Sequence, residues 1–317
     1  MKILVTGAAG FIGSHLAERL AGLGHSVVGL DSLTPFYSRA LKELNAAAVG
    51  AAGVELARLD LAVDDLEAVM RDVEVVYHLA AQPGLSAASD FQAYLRDNVV
   101  ATERLLAAAQ RAPGLRALVY VSTSSVYGAD ATGAEDAEPR PTSLYGVTKL
   151  AAEQLVLSRF RSRGFPACSV RLFSVYGPRE RPEKLYPTLI RALLEDRPFP
   201  LFEGSEHHLR SYTYVGDAVD GLVAVLDHLE RCVGEIFNLG MDSATSTAEG
   251  IRIVEEIVGR RARIVREPGR AGDQSRTEAD IRKARRVLGY EPRTTPREGL
   301  AREVEWYRTE VLGRGLP

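Results

Sequence analysis

Short apolar runs alternate with longer stretches of helical periodicity through the first half of the chain. Strands are predicted at KILVT (2–6), SVVGLD (26–31), VELARL (54–59), VEVVYHL (73–79), RALVYVS (116–122) and ACSVRLF (167–173), each short and rich in β-branched or aromatic residues. Between them the periodicity predicts helices near 11–22, 64–70, 91–111 and 144–162. The strands are apolar on both faces, as required when helices cover the two sides of a parallel sheet. The pattern therefore predicts an α/β fold, a doubly wound parallel sheet with a smaller C-terminal lobe.

After residue 174 the order loosens. YGPRERPEK is a Pro/Arg-rich loop, PFPLFEG a short extended piece, and helices follow near 185–196, 217–230, 247–258 and 297–311. We expect residues 1–173 to form the sheet domain with 212–240 returning to it, and 174–211 and 241–317 to form the lobe. The alanine-rich NAAAVGAAGV (45–54) reads as a helix end and loop, and no repeat of solenoid length is visible.

With 317 residues, 46% of them hydrophobic, the chain exceeds the size at which a single core usually stops growing. Its 39 basic and 42 acidic residues leave a net charge of −3 with no long basic run, which argues against nucleic acid as a partner. An anionic ligand must then be held by local groups. Cys168 and Cys232 are the two cysteines and show no CxxC spacing, so neither a disulfide scaffold nor a metal site is expected, and a reducing cytoplasm fits. Met1 runs straight into an apolar strand without a signal-peptide pattern, and no run of about eighteen apolar residues occurs, so no membrane span is expected.

A doubly wound sheet binds ligands beyond the carboxyl ends of its strands, so the strand ends carry the candidate chemistry. TGAAGFIGSH places Gly7, Gly10 and Gly13 directly after the first strand, with Phe11 and Ile12 opening the helix. Such a turn brings backbone amides and a helix N-terminus to a pyrophosphate, the signature of a Rossmann dinucleotide site. The second strand ends in Asp31, whose carboxylate can accept both adenosine ribose hydroxyls and would repel a 2′-phosphate; NAD is thus favoured over NADP. Asp60, with Leu61 after it, ends the third strand and is either an adenine contact or a helix N-cap. The fourth strand runs through Leu79 into Ala80 and Ala81, small enough to let a cofactor lie against the backbone, while His78 reads as a packed core histidine.

The fifth strand ends in STSSVYG, offering Thr123, Ser124 and Ser125 either as turn caps or as donors to a substrate oxygen. In SLYGVTK, Tyr145 and Lys149 are four apart and share a helix face. A free phenol with a pKa of ~10 is a poor base at neutral pH, but a neighbouring ammonium and a positive nicotinamide favour its ionised form. That phenolate can take an alcohol proton as hydride leaves the same carbon. Lys149 would also tether the nicotinamide ribose.

TGAAGFIGSH, HLAAQ, STSSVYG, YGVTK, VYGPRERP, RSYTYVGD and RAGDQSRTEADIRKARRVLGY together resemble the extended short-chain dehydrogenase/reductases, specifically the NAD-dependent nucleotide-sugar epimerases and dehydratases. The resemblance covers nearly the whole chain. It implies a tightly held NAD reduced and reoxidised in each turnover, with Tyr145 as base, Lys149 as its partner and Thr123 as the hydroxyl on the reacting oxygen. It also implies a homodimer through the helices at 91–111 and 144–162.

Dehydratases of this family place an Asp-Glu pair after the threonine, and the decarboxylases usually a Glu; here Ser124 and Ser125 stand there, so C4 epimerisation is the expected reaction. Three features resemble UDP-glucuronate 4-epimerases rather than glucose/galactose enzymes: Ser174 in RLFSVYGP, the segment LDSLTPFYSRALKE, and the loop GPRERPEK. The resemblance implies that Ser124, Ser125 and Ser174 hold the sugar carboxylate and that Arg181 lies in the sugar pocket, with Arg179 beside it in the same loop. Turn chemistry for Ser174 and a solvated loop for the two arginines are the plain alternatives. Arg210 and Arg270 suit the uridine diphosphate, since a guanidinium fork can bind two phosphate oxygens. Asp273 either accepts from ribose or orders Arg270. His207 and His208 read as a solvated loop. A UDP-glucose 4-epimerase is the alternative; a decarboxylase, a dehydratase or a non-catalytic NAD sensor fits less well.

Overall fold

The computed structural model describes residues 1–84, 90–269 and 274–316. Its central sheet has seven parallel strands in the order Ile236–Leu239, Ala167–Leu172, Ala117–Thr123, Val75–His78, Lys2–Thr6, Ser26–Leu30 and Glu55–Ala57. The chain moves outward from the first strand on one side, then returns to build the other, so a crevice opens at the carboxyl ends of Lys2–Thr6 and Val75–His78.

Alternation along each strand feeds two cores. Ile3, Val5, Val75, Tyr77, Val119 and Val170 enter one layer, while Leu4, Val76, Leu118, Tyr120 and Ala167 enter the other. A third core unites Tyr176, Tyr186, Leu189, Phe199, Val254, Leu300 and Val304 beneath the lobe. There the helices Leu185–Leu194, Thr247–Val258 and Pro296–Trp306 pack beside the parallel strands Pro198–Phe202 and Arg263–Glu267. A small sheet of Thr245–Ser246, Leu209–Arg210, Arg276–Thr277 and Asp130–Ala131 joins the two halves of the chain.

Three departures from the expected elements appear. The stretch at 45–54 is the helix end and loop expected, but the helix it ends, Arg39–Ala51, is missing from the predicted elements; its inner face includes Lys42 and Asn45. Those polar positions hid the periodicity, and Asn45 uses its amide to donate to the Ala9 carbonyl at 3.0 Å. Residues 241–317 do not all lie in the lobe. The helix Arg282–Leu288 sends Ala284 and Leu288 into the sheet-domain core, beneath a run of arginines that disguises it. Third, the helix predicted at 91–111 contains a π turn, Leu95–Val100, between α-helical pieces Phe91–Tyr94 and Ala101–Ala109.

The Leu144–Arg163 helix is fixed against the sheet by a buried ion pair. Arg171 donates to Glu153 at 2.6 and 3.1 Å, with side-chain exposures of 2% and 0%, and to the Tyr127 hydroxyl at 2.7 Å. Ser169 also donates to Glu153, and Tyr127 donates on to Asn238 of the seventh strand. Removing one partner strands a charge in a dry interior. We predict that Arg171→Met lowers unfolding free energy in urea by about 3–5 kcal/mol, and that Glu153→Leu/Arg171→Met recovers much of it.

Candidate active site

The crevice widens into a cleft of about 630 Å³ between the strand ends and the lobe. Its inner wall begins with the glycine turn. Gly7 has φ +73°, and a Cβ on Gly13 would lie 2.1 Å from the Gly7 carbonyl, so only glycine lets the first helix start this close to the strand. Phe11 and Ile12 line the cleft at the helix N-terminus beside Gly7, Gly10 and Gly13. Asp31 is buried, accepts from the Ala9 and Leu33 amides at 3.0 and 2.8 Å, and faces the same space. Asp60 caps no helix, since the next one is Glu67–Met70 with Leu66 before it: its carboxylate accepts from the Ala62 amide at 2.9 Å in a turn, pairs with Arg96, and lines the cleft with Leu61. Leu79, Ala80 and Ala81 complete this wall.

The opposite wall follows from two local devices. Thr123 ends its strand and caps the next turn, its hydroxyl accepting from the Ser125 amide at 3.1 Å. Ser143 caps the following helix through the Gly146 amide, at 3.1 Å. A Cβ on Gly146 would sit 2.6 Å from the Ser125 carbonyl, so this glycine lets the helix start press against the serine turn. Tyr145, Lys149, Thr123, Ser124 and Ser125 thereby line one stretch of the cleft.

Burial governs the charges there. Lys149 donates to the Val121 carbonyl at 2.6 Å, with its nitrogen 4.2 Å from the Tyr120 ring centre. Burial lowers it to about 7, partly opposed by Glu153. Burial also raises the Tyr145 phenol above its ordinary value; the Thr123 hydroxyl and then the positive charge of Arg181 pull it back. The protein alone therefore favours a neutral phenol, because desolvation outweighs the charges beside it.

Ser174 lines the cleft at φ +31°, a strained backbone for a non-glycine residue at the end of the Ala167–Leu172 strand. Arg181 enters the cleft, donates to the Pro83 carbonyl at 3.3 Å and pairs with Glu183 at 2.7 Å. Arg210 reaches the cleft from the small sheet. Arg179 is corrected: it points away, pairing with Glu18 of the first helix at 2.8 Å. Arg270 and Asp273 lie outside the described residues. His78 is a core histidine between Thr6 and Thr102, at 2.8 Å from each, and burial holds it down near 3. His208 is half-buried and lines the cleft, so the solvated-loop reading survives only for His207.

Sequence reasoning missed Ser122, whose buried hydroxyl faces the cleft with no hydrogen-bond partner among the described residues. It also missed Gln274, which donates to the Gly128 carbonyl at 2.7 Å, and Asn98, which ties the π turn to Gln82 and Thr148. A polar residue inside an apolar helical face was the one signal for Asn98. The glycine cradle, the Asp31 carboxylate and the unpartnered Ser122 hydroxyl fit a dinucleotide that lies across the switch point. No helix among the described residues is long and apolar enough to cross a membrane, and no cluster of metal-ligating residues occurs among them.

The NAD dependent epimerase/dehydratase family matches residues 3–240, and the chain belongs to it. It is 39% identical to the Bacillus subtilis (strain 168) protein named Uncharacterized UDP-glucose epimerase YtcB, over 99% of this chain and 100% of that one. Arabidopsis thaliana UDP-glucuronate 4-epimerase 2 is 33% identical over 97% of this chain and 76% of its own length. Among solved structures, the Bacillus cereus UDP-glucuronic acid 4-epimerase in complex with UDP-glucuronic acid and NAD matches with a TM-score of 0.93 and 38% identity, covering 98% and 99% of the two chains.

Lys149 also makes stability depend on pH. Its folded value lies below that of an unfolded lysine, so between about 7 and 10.5 the unfolded chain binds the extra proton and the folded state gains with rising pH. We predict that thermal unfolding of the wild type improves relative to Lys149→Met across that window, with the difference levelling off on either side.

Proposed function

We propose that the protein inverts C4 of a UDP-sugar in an NAD-dependent reaction through a transient 4-keto sugar, converting UDP-glucuronate to UDP-galacturonate. The observation that carries this reading is the convergence of Thr123, Tyr145 and Lys149 on the cleft that begins at the glycine turn. NAD, when bound along that turn, supplies a reversible hydride acceptor. Asp31 takes the adenosine ribose, and Lys149, anchored on the Val121 carbonyl, fixes the nicotinamide side of the cleft. Thr123 donates to the sugar O4, Tyr145 removes its proton as the C4 hydride departs, and the same phenol returns the proton after the sugar has turned over. Ser124 and Ser125 occupy the turn where elimination of water would need an acid.

A uronate is favoured over glucose by the cluster of Ser124, Ser125, Ser174 and the Arg181 guanidinium around the sugar end of the cleft. Neutral hydroxyls bind a carboxylate without locking the ring, and they hold it out of line with the C4 ketone, which keeps carbon dioxide from leaving. Arg210 serves the diphosphate. The name of the Bacillus subtilis relative supports UDP-glucose as the second reading, and assays with both sugars separate the two.

The enzyme is read as cytoplasmic, a setting that suits the buried free thiols of Cys168 and Cys232. It is also read as a homodimer. Phe91, Val100, Leu144 and Val147 are large hydrophobic residues exposed on the two helices at 91–109 and 144–163, and a second copy would cover them. Light scattering on Val100→Asp/Val147→Asp is expected to give a monomer where the wild type gives a dimer; a monomeric wild type overturns the assembly.

Tyr145→Phe is expected to lower kcat on UDP-glucuronate by about 10²–10⁴-fold, followed by NMR of the C4 proton, and unchanged turnover would end the assignment. Because burial holds the phenol above its ordinary value, kcat should rise with pH above neutrality. In kcat/KM, which reports the substrate-free site where the Thr123 hydroxyl still favours the phenolate, Thr123→Val should move that rise to higher pH.

A further inference from the structure

Beyond Thr123 the chain makes a single 3-10 turn, Ser124–Tyr127, passes Gly128 and enters the short strand Asp130–Ala131. Gln274, from the C-terminal part of the chain, lines the cleft against this turn. Its side-chain nitrogen donates to the Gly128 carbonyl at 2.7 Å and, more weakly, to the Ser124 carbonyl at 3.4 Å. An amide nitrogen carries two hydrogens, so one glutamine can hold both ends of a turn. Ser124 and Gly128 are both buried, where a carbonyl that loses its donor is costly.

The backbone behind Gln274 is fixed from two sides. Ser275 donates its amide to the Ala129 carbonyl at 3.2 Å and its hydroxyl to Asp130 at 3.1 Å, and Arg276–Thr277 pairs in parallel with Asp130–Ala131. On the other edge the Leu209 amide donates to the Ser275 carbonyl and the Ser211 amide to the Thr277 hydroxyl, both at 3.0 Å, on either side of Arg210. Gln274 therefore reaches the serine turn from a segment whose place is set by the strand bearing Arg210. Strand pairing holds residues 129–131, and the Gln274 amide extends that hold back to Ser124.

We propose that Gln274 is a positioning residue for the sugar: its amide holds the turn that presents Thr123, Ser124 and Ser125 at the height above the sheet that Tyr145 requires. The role rests on the reading of the cleft as a UDP-uronate site. Thr123 shares in the constraint because its hydroxyl accepts from the Ser125 amide inside the same turn. Both bonds that Gln274 donates go to the turn, so their loss acts on the sugar step and spares the diphosphate end. A displacement of about 1 Å in such a group is enough to cost about 100-fold in rate.

The test compares wild type with Gln274→Met, which keeps the length of the side chain and loses the donor, both loaded with NAD. On UDP-glucuronate kcat should fall about 10–100-fold while the inhibition constant of UDP stays within about twofold. An unchanged kcat, or an equal loss in both quantities, overturns the role. Hydrogen exchange without substrate reads the turn independently of turnover: amides at 124–128 should exchange about threefold faster or more in Gln274→Met, with those of the Leu144–Arg163 helix unchanged. Exchange that is the same in both proteins, or faster throughout, refutes Gln274 as the support of the turn. Faster exchange confined to the turn, in a protein whose wild type leaves UDP-glucuronate untouched, keeps that support and sinks the substrate reading instead. Should Gln274→Met not fold, Gln274→Glu, of the same size and without a donor when ionised, takes its place under the same expectations.

Discussion

The hydrogen bond from Lys149 to the Val121 carbonyl, made in a space closed by the Tyr120 ring, is the contact on which the site depends. It draws a long polar side chain into the carboxyl edge of the sheet and fixes the helix carrying Tyr145 at one height above Thr123. It also desolvates the pair, and desolvation is the largest influence on both groups. A dry cleft strengthens every charge later placed in it, so the same burial that keeps the resting phenol neutral makes its ionisation responsive to what binds.

That arrangement needs a rigid back wall. Glu153, one turn beyond Lys149, is held by Arg171 and Ser169, and through Tyr127 the network reaches Asn238 on the outermost strand. The helix is thus tied to two strands, Ala167–Leu172 and Ile236–Leu239, on the side away from the cleft. At the front it is held by the Ser143 cap and by the close approach of Gly146 to Ser125. The first helix is joined to the Arg181 loop as well: His15 contacts the Pro178 carbonyl at 2.9 Å and Glu18 pairs with Arg179, so two walls of the cleft brace one another.

Local chemistry was the legible part. The glycine turn, Asp31, the serine turn and the Tyr145–Lys149 spacing could be read because each depends on neighbours in the chain, through a turn, a strand end or a helix face. Contacts between distant segments could not. Arg179 and Arg181 are two residues apart in one loop, yet one pairs with Glu18 and the other enters the cleft, and no spacing rule separates them. The helix at 39–51 hid because its buried face includes Lys42 and Asn45, whose partners at Thr34 and Ala9 are visible only in the fold. The burial of the phenol was illegible for the same reason: residue spacing reveals a nearby lysine but not how much water both groups have lost.

The central claim is that hydride leaves and re-enters C4 of the sugar within a closed cleft while Tyr145 carries only the O4 proton. Turnover of UDP-glucuronate deuterated at C4, in ordinary water and followed by NMR, tests it most directly. The account predicts UDP-galacturonate that retains deuterium at C4 with a slowed rate. Loss of the label to solvent, with hydrogen appearing at C4, would contradict it.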